Sequence, residues 1–309
     1  MGEKDQVPEH NPYVLSELMV KDPPKDFRGR MQYLGPGLIL SASIVGSGEL
    51  IATTTLGAKA GFVTLWVILV SCVIKVALQL QFGRHVINTG ESTMASFNRL
   101  PGPKIGRGNW TIWTWLLIMV LKFIQVGGIV GGVALALNIA FPSVSIPIWT
   151  WLAVASVALL VFKGYYKSIE KLSLVMILMF TLLTMACVAF LQFTQYAVSW
   201  DDMLNGLKFD LPGAAVGVAI AAFGITGVGG DEIMCYNYWC LEKGYAAFTG
   251  PRKDSPEWFE RARGWIKVMY LDAMVSMIIY TLATAAFYLL GAAVQRWTPL
   301  TGQGKVFHK

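Results

Sequence analysis

The chain has 309 residues, of which 55% are hydrophobic and only 14% are charged, and its mean hydropathy is +0.53. A soluble domain carries about 25% charged residues, so a soluble globular class is excluded. The apolar residues fall in blocks about 20 residues long, the length that crosses a bilayer as a helix. The formal net charge of +6 does not point to nucleic acid, because the basic residues sit between the apolar blocks, where membrane proteins carry them.

Residues 1–32 are polar and Pro-rich with no apolar signal-peptide core, and read as a cytoplasmic N-terminal tail. Residues 33–292 read as a transmembrane domain of about seven spans, near 33–56, 62–82, 110–140, 147–162, 170–191, 212–236 and 265–292. The third is longer than the hydrocarbon core requires, so it tilts or projects. Between the second and third, TGESTMASFNR (89–99) has the character of a short amphipathic helix on the cytoplasmic face. Residues 293–309 form a C-terminal tail.

Lys and Arg set the orientation. They crowd the N-terminal tail (Lys21, Lys25, Arg28, Arg30) and the loops after the second, fourth and sixth spans (Arg84 to Arg107, Lys163 to Lys171, Lys243 to Arg263). The alternate loops hold only Lys59 and Lys208. The expectation is a multi-pass protein of the plasma (inner) membrane, with its N-terminus cytoplasmic and its C-terminus outside.

Two spans are interrupted by glycine. The first carries Gly46-Ser47-Gly48 followed by Glu49, and the sixth carries GITGVGG (224–230) followed by Asp231 and Glu232. If the architecture repeats after five helices, spans one and six are partners of opposite direction, and Gly-interrupted spans in matching positions point to a transport site. A carboxylate at bilayer depth is costly unless paired, hydrated or coordinating a cation. Unwound backbone is tolerated there where it lines a cavity. Carbonyls with a carboxylate make a hard-oxygen site suited to Mg²⁺, Ca²⁺ or Mn²⁺. The candidate metal ligands are Glu49 and Gly46 at the first break, the hydroxyls of Ser43 and Thr226, and Gly227, Asp231 and Glu232 at the second. Adjacent helical residues point about 100° apart, so one of Asp231 and Glu232 faces the cavity and the other needs a partner.

Each of these residues also has a plainer role open to it. Glu49 would lie near the outer interface and pair with Lys59. Ser43 and Thr226 would bond back to their own helices. Lys75 and Lys122 are bases inside spans, either tethered counter-ions in place of a bound cation or neutralisers of an acid. Asp272 is either an ion relay or an interior hydrogen-bonding group. Tyr236 to Trp239 resemble an interfacial belt. Cys72, Cys187, Cys235 and Cys240 form neither a zinc pattern nor a redox CxxC. His10, His85 and His308 are not spaced as ligands, and there is no Walker loop or Ser/His/Asp set. The chain does not read as an enzyme, and no cofactor is implied.

GPGLILSASIVGSGELIATTTLGAKAGF (35–62) is similar to the first transmembrane segment of the Nramp divalent-metal transporters, with the same leading GPG and closing GAK-x-G-aromatic. ALALN (134–138) and GIT (224–226) fit the same frame. The resemblance covers most of residues 30–292. It implies an all-α, inverted-repeat, LeuT-like fold with broken helices 1 and 6 and a divalent metal ion as substrate between them. The departures are informative. The family's Asp-Pro-Gly-Asn falls on Gly46-Ser47-Gly48-Glu49, its Met-Pro-His on Val228-Gly229-Gly230, and the helix-three acids of its proton route on Val126 and Ile129. This resembles a divergent branch, with preference for a harder cation such as Mg²⁺ or Mn²⁺.

The alternative is an amino-acid or organic-solute permease of the same superfold, in which exposed amides at a half-helix N-terminus bind a substrate carboxylate. Glu49 discriminates, since it repels an anion and attracts a metal. A five-plus-five repeat needs ten core helices, so seven spans lead to a third expectation: missing C-terminal helices, a partner chain, or a truncated non-transporting fragment. The expected partners are the metal ion and the lipid bilayer, with no nucleic acid.

Overall fold

The structure, a computed structural model, describes residues 13–162 and 166–297. Parts of both expected tails, together with Lys163, His10 and His308, lie outside the described residues. In chain order the helices are α1 (Phe27–Gln32), α2 (Pro36–Ile44), α3 (Ser47–Ala60), α4 (Leu65–Thr89), α5 (Thr93–Asn98), α6 (Trp110–Ala140), α7 (Ile146–Phe162), α8 (Tyr166–Leu191), α9 (Trp200–Asn205), α10 (Val216–Ile225), α11 (Gly230–Lys243), α12 (Tyr245–Thr249) and α13 (Pro256–Trp297). A two-stranded antiparallel ribbon, β1 (Lys104–Ile105) with β2 (Gly108–Asn109), is the one sheet among the described residues.

Among those residues four helical stretches are long and apolar enough to cross a membrane: α4, α6, the 213–243 stretch containing α10 and α11, and α13. A fifth is added if α2 and α3, bent by 54° at their junction, count as one span. The other two expected spans correspond to α7 and α8, whose apolar stretches Ile146–Leu160 and Val175–Leu191 are shorter than 18 residues. The protein is thus an integral multi-pass membrane protein. α4 and α13 run further toward the polar segments than hydropathy suggests. The expected helix in 89–99 is α5, N-capped by Ser92, whose Oγ accepts from the Ala95 N–H.

The chain divides into two compact units. One comprises the N-terminal segment to Gly37, 77–112 and 230–275. Its core is aromatic. Trp265 is fully buried, with ring centroids of Tyr33 and Phe248 each 5.0 Å away, and its Nε1–H donates to the Lys21 carbonyl at 2.9 Å. Tyr245 Oη donates to the Tyr33 carbonyl at 2.7 Å and Lys243 Nζ to that of Leu34 at 3.0 Å. The polar segment before the first apolar helix is therefore anchored by backbone acceptors. Asp272, fully buried in α13, accepts from the N–H groups of Gly35 (2.9 Å) and Gly37 (2.5 Å) and from Tyr236 Oη (3.2 Å). It caps α2, satisfying donors that a helix N-terminus leaves open. Of its two expected roles, Asp272 has the hydrogen-bonding one here. Tyr236 and Asn237 are buried rather than exposed in a belt.

The second unit comprises 38–76, 113–229 and the chain from Ser276. Its core joins Leu56, Ala60, Leu65 and Ile68 to Ala215, Ala219 and Ala222 and to Tyr288, Leu289 and Ala292. Small residues let backbones approach, as in other membrane helix pairs. A Cβ on Gly57 would lie 2.3 Å from the Tyr288 carbonyl oxygen, and one on Gly291 would lie 2.2 Å from that of Thr54. Tyr288 Oη donates to the Gly61 carbonyl at 2.5 Å and accepts from the Thr64 N–H at 3.1 Å.

Candidate cation site at the interrupted helices

The first apolar segment stops being helical at Val45 and Gly46. Gly46 is extended (φ −127°, ψ −173°) and offers no side chain to cap α3. Glu49 then sits in the first turn of α3, where the positive end of the helix favours a carboxylate. It is 3% exposed. The second interruption follows α10: Thr226 is extended and Gly227 has φ +71°. At Gly227 the positive φ demands glycine, and an added Cβ would lie 3.2 Å from Cys72 Cα. This turn aims the Gly227 N–H at Glu49, whose Oε1 accepts it at 2.9 Å.

Two buried hydroxyls of the same unit bear on this carboxylate. The Thr226 hydroxyl is fully buried and has no hydrogen-bond partner among the described residues. The same holds for the Tyr280 phenol of α13, which lies within electrostatic reach of Glu49. Buried hydroxyls are ordinarily bonded, so each of these two is open to a water or a cation.

The α10 end is held differently. Lys75 Nζ donates to the carbonyls of Phe223 (2.7 Å), Gly224 (2.9 Å) and Thr226 (2.7 Å). Ser71 Oγ, one helical turn earlier on α4, is 2.9 Å from the Phe223 oxygen and 3.0 Å from that of Thr226. These are the carbonyls that the sequence offers as freed backbone ligands, and they are engaged by α4.

The structure thus brings Glu49 together with Gly227 and its neighbour Thr226. Ser43 is exposed on the last turn of α2, and Gly46 is half-buried. Asp231 and Glu232, both half-buried, occupy the first turn of α11 in the other unit. Lys59 is exposed, at the far end of α3 from Glu49. No group of three or more His, Cys, Asp or Glu side chains suited to a metal occurs among the described residues. A cation held here would therefore draw on hydroxyl, carbonyl or water oxygens besides its carboxylate. The carbonyl-binding role of Lys75 and the nearness of Tyr280 were not read from the sequence. Ser71 and Lys75, four apart on one face of an apolar helix, were a legible signal for the first. Nothing local marks Tyr280.

The family profile described as "Natural resistance-associated macrophage protein-like" (Nramp) matches residues 37–305. The chain belongs to the Nramp family. Among its relatives, this Nramp-family chain is 29% identical over 201 residues to "Metal transporter Nramp6.2" of Populus trichocarpa, covering 64% of the chain and 35% of that protein. It is 29% identical over 272 residues to "Divalent metal cation transporter MntH" of Levilactobacillus brevis, covering 87% of the chain and 55% of the relative. It is 22% identical over 300 residues to an uncharacterized protein of Pasteurella multocida, covering 94% and 63%. Crystal structures of Eremococcus coleocola manganese transporter mutants share its fold, with a TM-score of 0.68 at 15% identity for one of them, over 91% of this chain and 55% of that one. The Nramp chain spans less than two thirds of the length of each of these proteins.

Proposed function

We propose that the protein to which this Nramp chain corresponds carries a hard divalent metal cation, Mg²⁺ or Mn²⁺ in type, across a membrane through a site built on Glu49. The observation that carries the reading is the buried Glu49 carboxylate, oriented by the Gly227 N–H at 2.9 Å. Burying a charge at bilayer depth costs about 2.5–3.5 kcal/mol on insertion scales, and a bound cation offsets that cost. An all-oxygen set without thioether or imidazole favours hard cations. The MntH and Nramp6.2 relatives, named as metal transporters, support the same class. We infer an inverted-repeat arrangement with the interruptions at 45–46 and 226–229 as its two breaks, and a plasma-membrane orientation with the N-terminus cytoplasmic, from the Lys and Arg bias.

The organic-solute reading needs a backbone N–H free to bind a substrate carboxylate. The N–H groups that open α3 share its first turn with the buried Glu49 carboxylate, which repels an anion, so the geometry favours the cation. The test is uptake of ⁵⁴Mn²⁺ into proteoliposomes, with Mg²⁺ competition, for wild type and Glu49→Gln. The neutral variant loses tenfold or more in apparent affinity, about 1.4 kcal/mol or greater. Asp231→Asn and Glu232→Gln enter the same assay. Uptake blocked by amino acids and indifferent to Mg²⁺ would overturn the proposal.

A further inference from the structure

Lys75 raises a separate question. An ammonium group is expensive inside a membrane and is kept for a purpose. Here its three protons face three carbonyl oxygens, those of Phe223, Gly224 and Thr226, at 2.7, 2.9 and 2.7 Å. A lysine ammonium has three donors and no acceptor, enough to serve these three oxygens. The acceptors are the last carbonyls of α10 and the first of the unwound turn, where the helix leaves its oxygens unsatisfied and its dipole is negative. Oxygens at such a half-helix C-terminus, with unwound carbonyls next to them, are the type of ligand that holds a monovalent ion in transporters with broken helices. The ring of Phe223 also lies 5.6 Å from the ammonium, close enough for a cation–π contribution.

We propose that the end of α10 is a monovalent-cation seat permanently filled by the Lys75 ammonium, so that wild-type protein takes no free monovalent cation there. Ser71, sharing its hydroxyl between the Phe223 and Thr226 oxygens, keys the seat to α4. Lys75 is a positioning residue for the interrupted helix and excludes a mobile ion from it. The proposal does not depend on the substrate being a divalent metal.

Removing the tether reopens the seat. Lys75→Ala leaves three carbonyls and a vacated volume of the right chemistry for a small primary ammonium or an alkali ion. The experiment is thermal unfolding of the purified protein in detergent, at constant chloride, with ethylammonium, Na⁺ or tetramethylammonium as the cation. Wild type melts at one temperature in all three. Lys75→Ala melts lower in tetramethylammonium, which has no N–H and is too bulky, and recovers with saturable dependence on ethylammonium or Na⁺, as a ligand bound only by the folded state requires. A variant that melts lower with no cation-specific recovery, or as wild type in all three salts, overturns the proposal.

If Lys75→Ala cannot be purified, native-state amine labelling of the wild-type protein decides. A Lys75 amine held by three carbonyls resists reductive methylation under folding conditions and reacts after denaturation. Ready labelling of the folded protein would sink the idea. Metal uptake is read separately, so failure of the divalent-cation proposal leaves this result unaffected.

Discussion

Replacing Asp272 by asparagine changes one atom type and should unfasten the start of the first apolar helix. The carboxylate accepts from Gly35 N–H at 2.9 Å, Gly37 N–H at 2.5 Å and Tyr236 Oη at 3.2 Å, with no exposure to solvent. An asparagine keeps one acceptor oxygen and turns an NH₂ toward donors already in place. One charge-assisted hydrogen bond, worth about 1.5–3 kcal/mol, is lost, and a buried N–H left unsatisfied costs about 1–3 kcal/mol more. The site cannot relax by moving away, because Gly37 is in close contact: a Cβ there would lie 2.6 Å from the Asp272 backbone oxygen. The expected loss is about 3–5 kcal/mol, or roughly 6–10 °C in melting temperature at about 2 °C per kcal/mol for a chain of this size. Tryptophan fluorescence during a thermal ramp in detergent reads it. Tyr236→Phe, which removes the longest of the three bonds, should lose only about 1 kcal/mol. If Asp272→Asn melts within about 1 °C of wild type, the capping argument is wrong.

Gly57→Ala and Gly291→Ala should each destabilise by about 1–3 kcal/mol or more, because the added methyl meets backbone oxygens at 2.3 and 2.2 Å; the same melting assay measures this, with Gly61→Ala isolating the cost of its positive φ, since nothing lies within 4 Å of its Cβ position. Thr226→Val keeps shape and removes a hydroxyl that has no partner among the described residues, so stability should hold or rise while ⁵⁴Mn²⁺ uptake falls; unchanged uptake would remove Thr226 from the ligand set. Tyr280→Phe should likewise leave the melting temperature within about 2 °C of wild type and weaken cation affinity. Gly227→Ala should weaken uptake by about 5–30-fold, since the φ of +71° that aims the N–H at Glu49 costs a residue with a Cβ about 1–2 kcal/mol.

The membrane class and the positions of the two interruptions were legible because hydropathy and glycine leave local marks. Gly46-Ser47-Gly48 and Gly227 show in any window, and Glu49 stands out as an acid in apolar surroundings. The partners of those residues were not legible, because long-range pairing leaves no periodic trace. Lys75 read as either a tethered stand-in for a bound cation or a neutraliser of an acid, and its carbonyl partners on α10 lie about 150 residues away in sequence. Asp272 looked open to an ion-relay role, while its cap of α2 comes from a contact that no single stretch encodes. Residues 1–32 read as a polar tail because their composition is polar, yet the Lys21 carbonyl serves as an acceptor, as do those of Tyr33 and Leu34 just beyond. Composition records side chains, and this anchoring uses main-chain oxygens.

The Asp272 cap also bears on synthesis. Gly37 and the carboxylate that holds it are 235 residues apart in the chain. At a translation rate of about 5–20 residues per second, roughly 10–50 s separate their emergence. For that interval the leading end of the first apolar helix is in place without its final acceptor, and water, lipid headgroups or an insertion factor must satisfy those amides. The start of the first apolar helix is thus completed by a side chain made 235 residues later.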